Sequence, residues 1–187
     1  MKRLTGVFLS LLLVLLFCGC GCQQEQSNQP TVPSGFESRA SIRYGDMDLT
    51  ALVSRTQEGV TTVTFESPES LKDLTLTLQG EEVTLSYQGL SLSLNANGFP
   101  ARSIARVMQD ALNRALEPQG CTVSLEDGVL ELRGQTDAYE FVLRMDGENG
   151  NLLSLSVPGE NMEMTFENFQ IIPQFTAQEN SSDSQTP

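Results

Sequence analysis

Histidine and tryptophan are absent from this 187-residue chain, and cysteine occurs only four times. Without histidine the commonest general base, the usual catalytic triad and most zinc sites are excluded. Without tryptophan the strongest stacking platform for sugars is missing as well. Basic residues are scarce: 11 Lys and Arg face 24 Asp and Glu, a formal net charge of −13, so nucleic acid is not an expected partner. Long apolar runs are also lacking. The one candidate, Val7 to Phe17, falls short of the ~20 residues a membrane-spanning helix needs.

Three of the four cysteines, Cys18, Cys20 and Cys22, stand directly behind that run, separated by single glycines. A positive start (Lys2, Arg3), a short apolar core and small residues before a cysteine make an export signal whose cysteine can take diacylglycerol. The segment resembles a bacterial lipoprotein precursor. Cleavage before Cys20 leaves Phe17-Cys18-Gly19 ahead of it, with the small residue adjacent to the cut, so Cys20 is the expected lipidation site; Cys18 and Cys22 compete. The expected product is held at the extracytoplasmic face of the cell membrane by its acyl chains. It keeps 9 basic and 24 acidic residues, 9 − 24 = −15, and an acidic surface would not be drawn to anionic lipid by itself.

Four segments follow: a signal at 1–19, a lipidated cysteine with a flexible tether at 20–36, one β-rich domain at 37–173 and a polar, disordered tail at 174–187. The tether and tail are Gln, Ser, Asn and Pro with little to bury. Within the domain, apolar residues alternate with polar ones, as in Leu74, Leu76, Leu78; Val83, Leu85, Tyr87; and Leu90, Leu92, Leu94. Period two with one apolar face predicts half-buried strands. The same reading gives Ile42 and Tyr44, Ala51 and Val53, Val63 and Phe65, Cys121 to Leu125, Leu130 and Leu132, Tyr139 to Met145, Leu153 to Val157, and Met162 to Phe166. Glycine-bearing turns such as Gly45-Asp46, Gln88-Gly89 and Asp127-Gly128 join them, which predicts an antiparallel meander of about 10–11 strands.

One segment breaks the rhythm. Ile104, Val107, Met108, Ala111, Leu112 and Ala115 recur at three and four residues, which predicts a single amphipathic helix over 100–117, opened by Pro100 and stopped by Pro118. The fold class is therefore mainly β (α+β): a curved antiparallel sheet, or half-open β-barrel, with one helix packed on its concave face.

That order resembles the lipoprotein-localisation (LolA/LolB-like) half-barrel of periplasmic lipoprotein carriers and receptors. The resemblance covers about Ser38 to Ile172 and rests on element order and the lipoprotein signal. It implies an apolar cavity between sheet and helix that can hold acyl chains. Residues placed to line it are Leu92, Ile104, Met108, Leu112, Phe141, Met145, Met162 and Met164; the same side chains would equally make an ordinary core. The expected function is binding of a lipid or other apolar ligand. The alternative is a non-catalytic protein-interaction or envelope-sensing module with a filled core.

Catalysis, cofactors and metals are not expected. Cys121, the one cysteine inside the domain, has no base to activate it and sits in an alternating strand. Asp146-Gly147-Glu148-Asn149-Gly150-Asn151 lacks the carboxylate spacing of a calcium loop and reads as a hairpin turn. Asp46, Asp48, Glu160, Glu163 and Glu167 are read as solvated strand ends.

Overall fold

The computed structural model describes residues 31–95, 98, 103–117 and 120–172. The signal, Cys20, Pro100, Pro118, Pro173 and the tail at 174–187 lie outside the described residues. Eleven strands form one antiparallel sheet: β1 (Phe36–Tyr44), β2 (Met47–Arg55), β3 (Thr61–Ser67), β4 (Thr75–Gln79), β5 (Glu82–Tyr87), β6 (Leu90–Asn95), β7 (Cys121–Glu126), β8 (Val129–Gln135), β9 (Glu140–Asp146), β10 (Leu152–Val157) and β11 (Met162–Ile171). A helix, α1 (Ile104–Leu116), links β6 to β7, and a short 3-10 turn (Pro158–Glu160) links β10 to β11. The half-open barrel expected from the pattern is the fold found.

The strand order is β6-β5-β4-β3-β2-β1-β11-β10-β9-β8-β7, so the chain meets itself where β1 pairs with β11, and β6 and β7 are left as the two edges. Helix α1 packs on β3 and β4 from one half and on β8 from the other. In the strand order β3 and β8 stand six steps apart, about 29 Å at ~4.8 Å per strand, whereas a helix is only ~10 Å across. One helix can touch both only if the sheet curls around it. The core is therefore the concave face, and the helix plugs it.

Alternation decides which side chains go inside. In β1, Phe36, Ser38, Ala40 and Ile42 are buried while Glu37, Arg39, Ser41 and Arg43 face water; in β11, Met162, Met164 and Phe166 are buried. Convex charges pair across strands, as in Arg39 with Glu66 at 2.8 Å and Arg144 with Glu131 at 2.9 Å. Such exposed pairs add little stability.

Two sequence expectations are corrected. The face of β10 carries Leu152, Leu155 and Val157, not Leu153, because the register with β9 shifts between Leu152 and Ser154 and a bulge turns Leu152 inward. The folded part also begins earlier than Glu37: Val32 and Phe36, placed in the tether by composition, are buried, and Phe36 stacks on Phe169 at 4.9 Å.

Candidate functional site

Seven of the eight residues expected to line a cavity meet in one buried cluster, and one does not. Ile104, Met108 and Leu112 of the helix and Phe141, Met145, Met162 and Met164 of the sheet all lie within the same core. Met108, Leu112 and Met164 have no accessible surface at all. A void large enough for water would expose its lining, so none opens onto these three side chains. Leu92 lies elsewhere: it is 57% exposed, on edge strand β6.

Its position becomes clear along a row of cross-strand partners. Val53 faces Val63, Val63 faces Leu76, Leu76 faces Leu85 and Leu85 faces Leu92. Partners directly opposite share a face of the sheet. Exposure along this row runs from 0% at Val53 and Val63 through 7% at Leu76 to 57% at Leu92. The opposite half behaves alike, from Leu143 at 0% through Leu132 at 6% to Val123 at 50%. The apolar concave face therefore runs past the helix's cover on both sides. On the β6 flank it ends in Leu90, Leu92 and Leu94, with Tyr87 beside them; on the β7 flank it ends in Val123 and Leu125.

A second feature belongs to the same face. Arg55 ends the inward series Leu49, Ala51, Val53, Arg55 of β2 and is buried at 4% exposure. Its guanidinium donates to Asn113 Oδ1 of α1 at 2.6 Å and to Thr61 Oγ1 at 3.1 Å, with a longer bond to the Gly59 carbonyl at 3.5 Å. Among the described residues no carboxylate pairs with it, and Nε has no partner. Burial lowers its pKa, because the charged form loses water. Strict alternation along β2 would have placed this arginine inward from sequence; the exposed leucines carried no such signal, since their pattern is identical to that of buried strands.

Open grooves lie at the periphery. One of them, about 560 Å³, runs beside Arg114, Cys121, Arg133, Gly134, Glu140 and Phe141. Gly134 is required there: a Cβ at this position would strike the Phe141 ring and stand 2.8 Å from Cys121 Sγ. Burial raises the Cys121 pKa, which makes its thiolate scarce. Tyr139 reaches from the start of β9 to the Val107 carbonyl at 3.4 Å, and its pKa is raised by burial and by nearby Asp110.

The carboxylates do not assemble a reactive pair. Asp48 and Glu163 approach a common partner, Arg43, at 3.6 and 3.9 Å, on the exposed convex surface. Asp146 Oδ1 accepts from the Glu148 and Asn149 backbone N–H groups at 2.8 and 3.0 Å, as a hairpin turn requires, and these bonds lower its pKa. Among the described residues no three His, Cys, Asp or Glu side chains converge as metal ligands, and no helix is long and apolar enough to cross a membrane.

No family model matches this chain, and no curated protein matches it. Solved structures do. An uncharacterized conserved protein from Thermus thermophilus aligns at 13% identity and TM-score 0.50, covering 82% of this chain and 89% of that one. The LolA superfamily protein NE2245 from Nitrosomonas europaea aligns at 14% identity over 78% of this chain and 89% of its own, with TM-score 0.44. A structure of the CwlD amidase from Clostridioides difficile in complex with the GerS lipoprotein gives 15% identity, 75% and 85% coverage and TM-score 0.40. The first likeness is one of fold alone, and the other two are too distant to carry an argument. The strand order and the one helix enclosed among the described residues make the half-open barrel that the sequence led us to expect.

Proposed function

We propose that this is a non-catalytic lipoprotein, anchored through Cys20 at the extracytoplasmic face of the membrane, that binds an acyl chain or similar apolar ligand on its concave face. The observation that carries the proposal is the leucine row Leu90, Leu92, Leu94, which continues the core-facing surface beyond the helix and stays open. At ~25 cal/mol per Å² these three side chains leave on the order of 3 kcal/mol of burial unrealised. An acyl chain lying along β6 would recover it. In this reading Met108, Leu112, Phe141, Met145, Met162, Met164 and Ile104 form the packed floor beside the ligand, and Leu92 touches it directly.

The full packing around Met108 and Leu112 also favours a second reading, in which the same open row meets an envelope protein and no lipid is held. Native mass spectrometry of residues 23–187, secreted without detergent, separates the two. A stoichiometric lipid adduct in the wild type that is missing from Leu92→Asp supports acyl binding. A bare mass that stays bare after incubation with fatty acid and phospholipid vesicles overturns it and leaves the interaction module.

A further inference from the structure

Among the described residues the sheet does not close and β6 pairs with β5 alone along 90–94, and all six residues of β6 are exposed. An open edge is a row of unpaired backbone donors and acceptors, which proteins ordinarily blunt with charge, proline, a bulge or a cover. Strand β6 reads Leu90-Ser91-Leu92-Ser93-Leu94-Asn95 and has none of the first two; its pairing with β5 runs without a register shift. The other edge differs, since β7 ends in Glu126 followed by Asp127. The chain carries a net charge of −13, so two copies repel over most of their surfaces. At β6 neither copy presents a charge.

The strand is also self-complementary. Read in either direction from Leu92, its flanking residues are Ser and then Leu. We propose that β6 is a homodimer interface, in which β6 pairs antiparallel with β6 of a second copy about a two-fold axis at Leu92. This register sets Leu92 against Leu92, Ser91 against Ser93 and Leu90 against Leu94. Every other antiparallel register loses part of the leucine-to-leucine match. The contact is isologous and closes at two copies. It joins the two exposed leucine rows into one apolar strip, and it uses backbone groups that acyl binding does not need, so it stands whether or not a lipid is held.

The axis gives a sharp test, because a residue on a two-fold axis faces itself. Antiparallel partners lie ~4.5–5.5 Å apart between Cα atoms, within disulfide reach. The full-length chain is exported in a bacterial host, and its envelope is treated with a mild oxidant and run without reductant. Leu92→Cys is expected to give a covalent dimer several-fold above the background of the wild type, whose exported form, cleaved before a lipidated Cys20, keeps Cys22 and Cys121 as thiols. Leu90→Cys alone should give none, because like positions would stand ~13 Å apart along the strands. Leu90→Cys and Leu94→Cys expressed together should restore the dimer. Adding Ser91→Lys and Ser93→Lys should suppress the Leu92→Cys product by setting lysines face to face. The proposal is overturned if Leu92→Cys crosslinks no better than the wild type or than Val123→Cys on the opposite edge. It is overturned equally if Leu90→Cys alone crosslinks as well as Leu92→Cys.

Discussion

Strands β3 and β6 carry the same kind of pattern, an apolar residue at every second position, yet they meet opposite fates. Val63 in β3 lies under α1 with no exposed surface, while Leu92, three strands farther along the same row, is 57% exposed. Nothing local separates them. A helix of 13 residues is about 20 Å long and ~10 Å wide, and a single one cannot roof an eleven-stranded sheet even when the sheet curls. Periodicity tells which face of a strand is apolar; coverage decides whether that face becomes core or binding surface.

The largest test of this contrast is one charge placed on each side of it. Met108→Asp buries a carboxylate where no water reaches, and should cost more than about 4 kcal/mol and unfold the domain under ordinary conditions. In the ligand-free single copy Leu92→Asp adds its charge in water and should change stability by less than about 1 kcal/mol. Thermal melts followed by circular dichroism measure both. Comparable losses at the two positions would mean that the β6 flank is covered in solution, and the distinction between floor and open row would fall.

Gly134→Ala probes the packed side at its rim. The added methyl has to displace the Phe141 ring and the Cys121 thiol, neither of which is at the free end of a flexible chain, so a loss of about 1–3 kcal/mol is expected. Phe141→Leu in the same chain should recover part of it. A neutral Gly134→Ala would show that β7 and β8 give way easily and that the β7 flank is looser than the β6 flank.

Arg55 is the buried charge on the packed side of the comparison, and effects no larger than that of Gly134→Ala are expected there. Asn113→Leu removes the acceptor at 2.6 Å and leaves a buried guanidinium with Thr61 and a long carbonyl contact, at a cost of about 1–3 kcal/mol. Arg55→Met removes the buried charge itself and keeps an apolar stem of similar length, so it should be neutral or stabilising by about 1 kcal/mol. In Arg55→Met the Asn113→Leu change should then become nearly silent. Chemical denaturation of the four combinations measures the coupling, and additive losses would show that the two side chains act independently.

How far the sequence reaches follows from the same physics. Period-two alternation located all eleven strands, because a strand at a sheet surface shows its register in every second residue. It misplaced Leu152 and Leu153, since a bulge shifts the register without leaving a mark in an apolar pair. The helix was legible from its three-and-four spacing, and the structure shows it from Ile104 to Leu116. The candidate site was less legible. Met108 and Leu92 both read as apolar and inward, and only the width of the sheet against the width of the helix sets them apart.

The smallest expected effect concerns acid. The buried cluster holds no Asp or Glu, so among the described residues the packed centre contributes nothing that titrates as pH falls. Acid sensitivity has to enter from the rim, and Asp146 is placed to supply some. Its carboxylate accepts two backbone N–H groups of its own turn, and its pKa lies below the ordinary value. A carboxyl with a depressed folded-state pKa adds stability above its unfolded pKa, ~3.9, and that stability is lost as pH falls through the folded value. Asp146→Asn keeps an oxygen acceptor in the same place but cannot titrate. The variant should therefore be slightly less stable than the wild type at pH 6, and the gap should close between about pH 4 and pH 2. Melts across that range measure it. A gap that is unchanged at pH 2 would mean that the turn draws its stability from geometry alone, and the acid limb would then have to be sought at Glu131, whose pKa is lowered chiefly by its bond from Arg144.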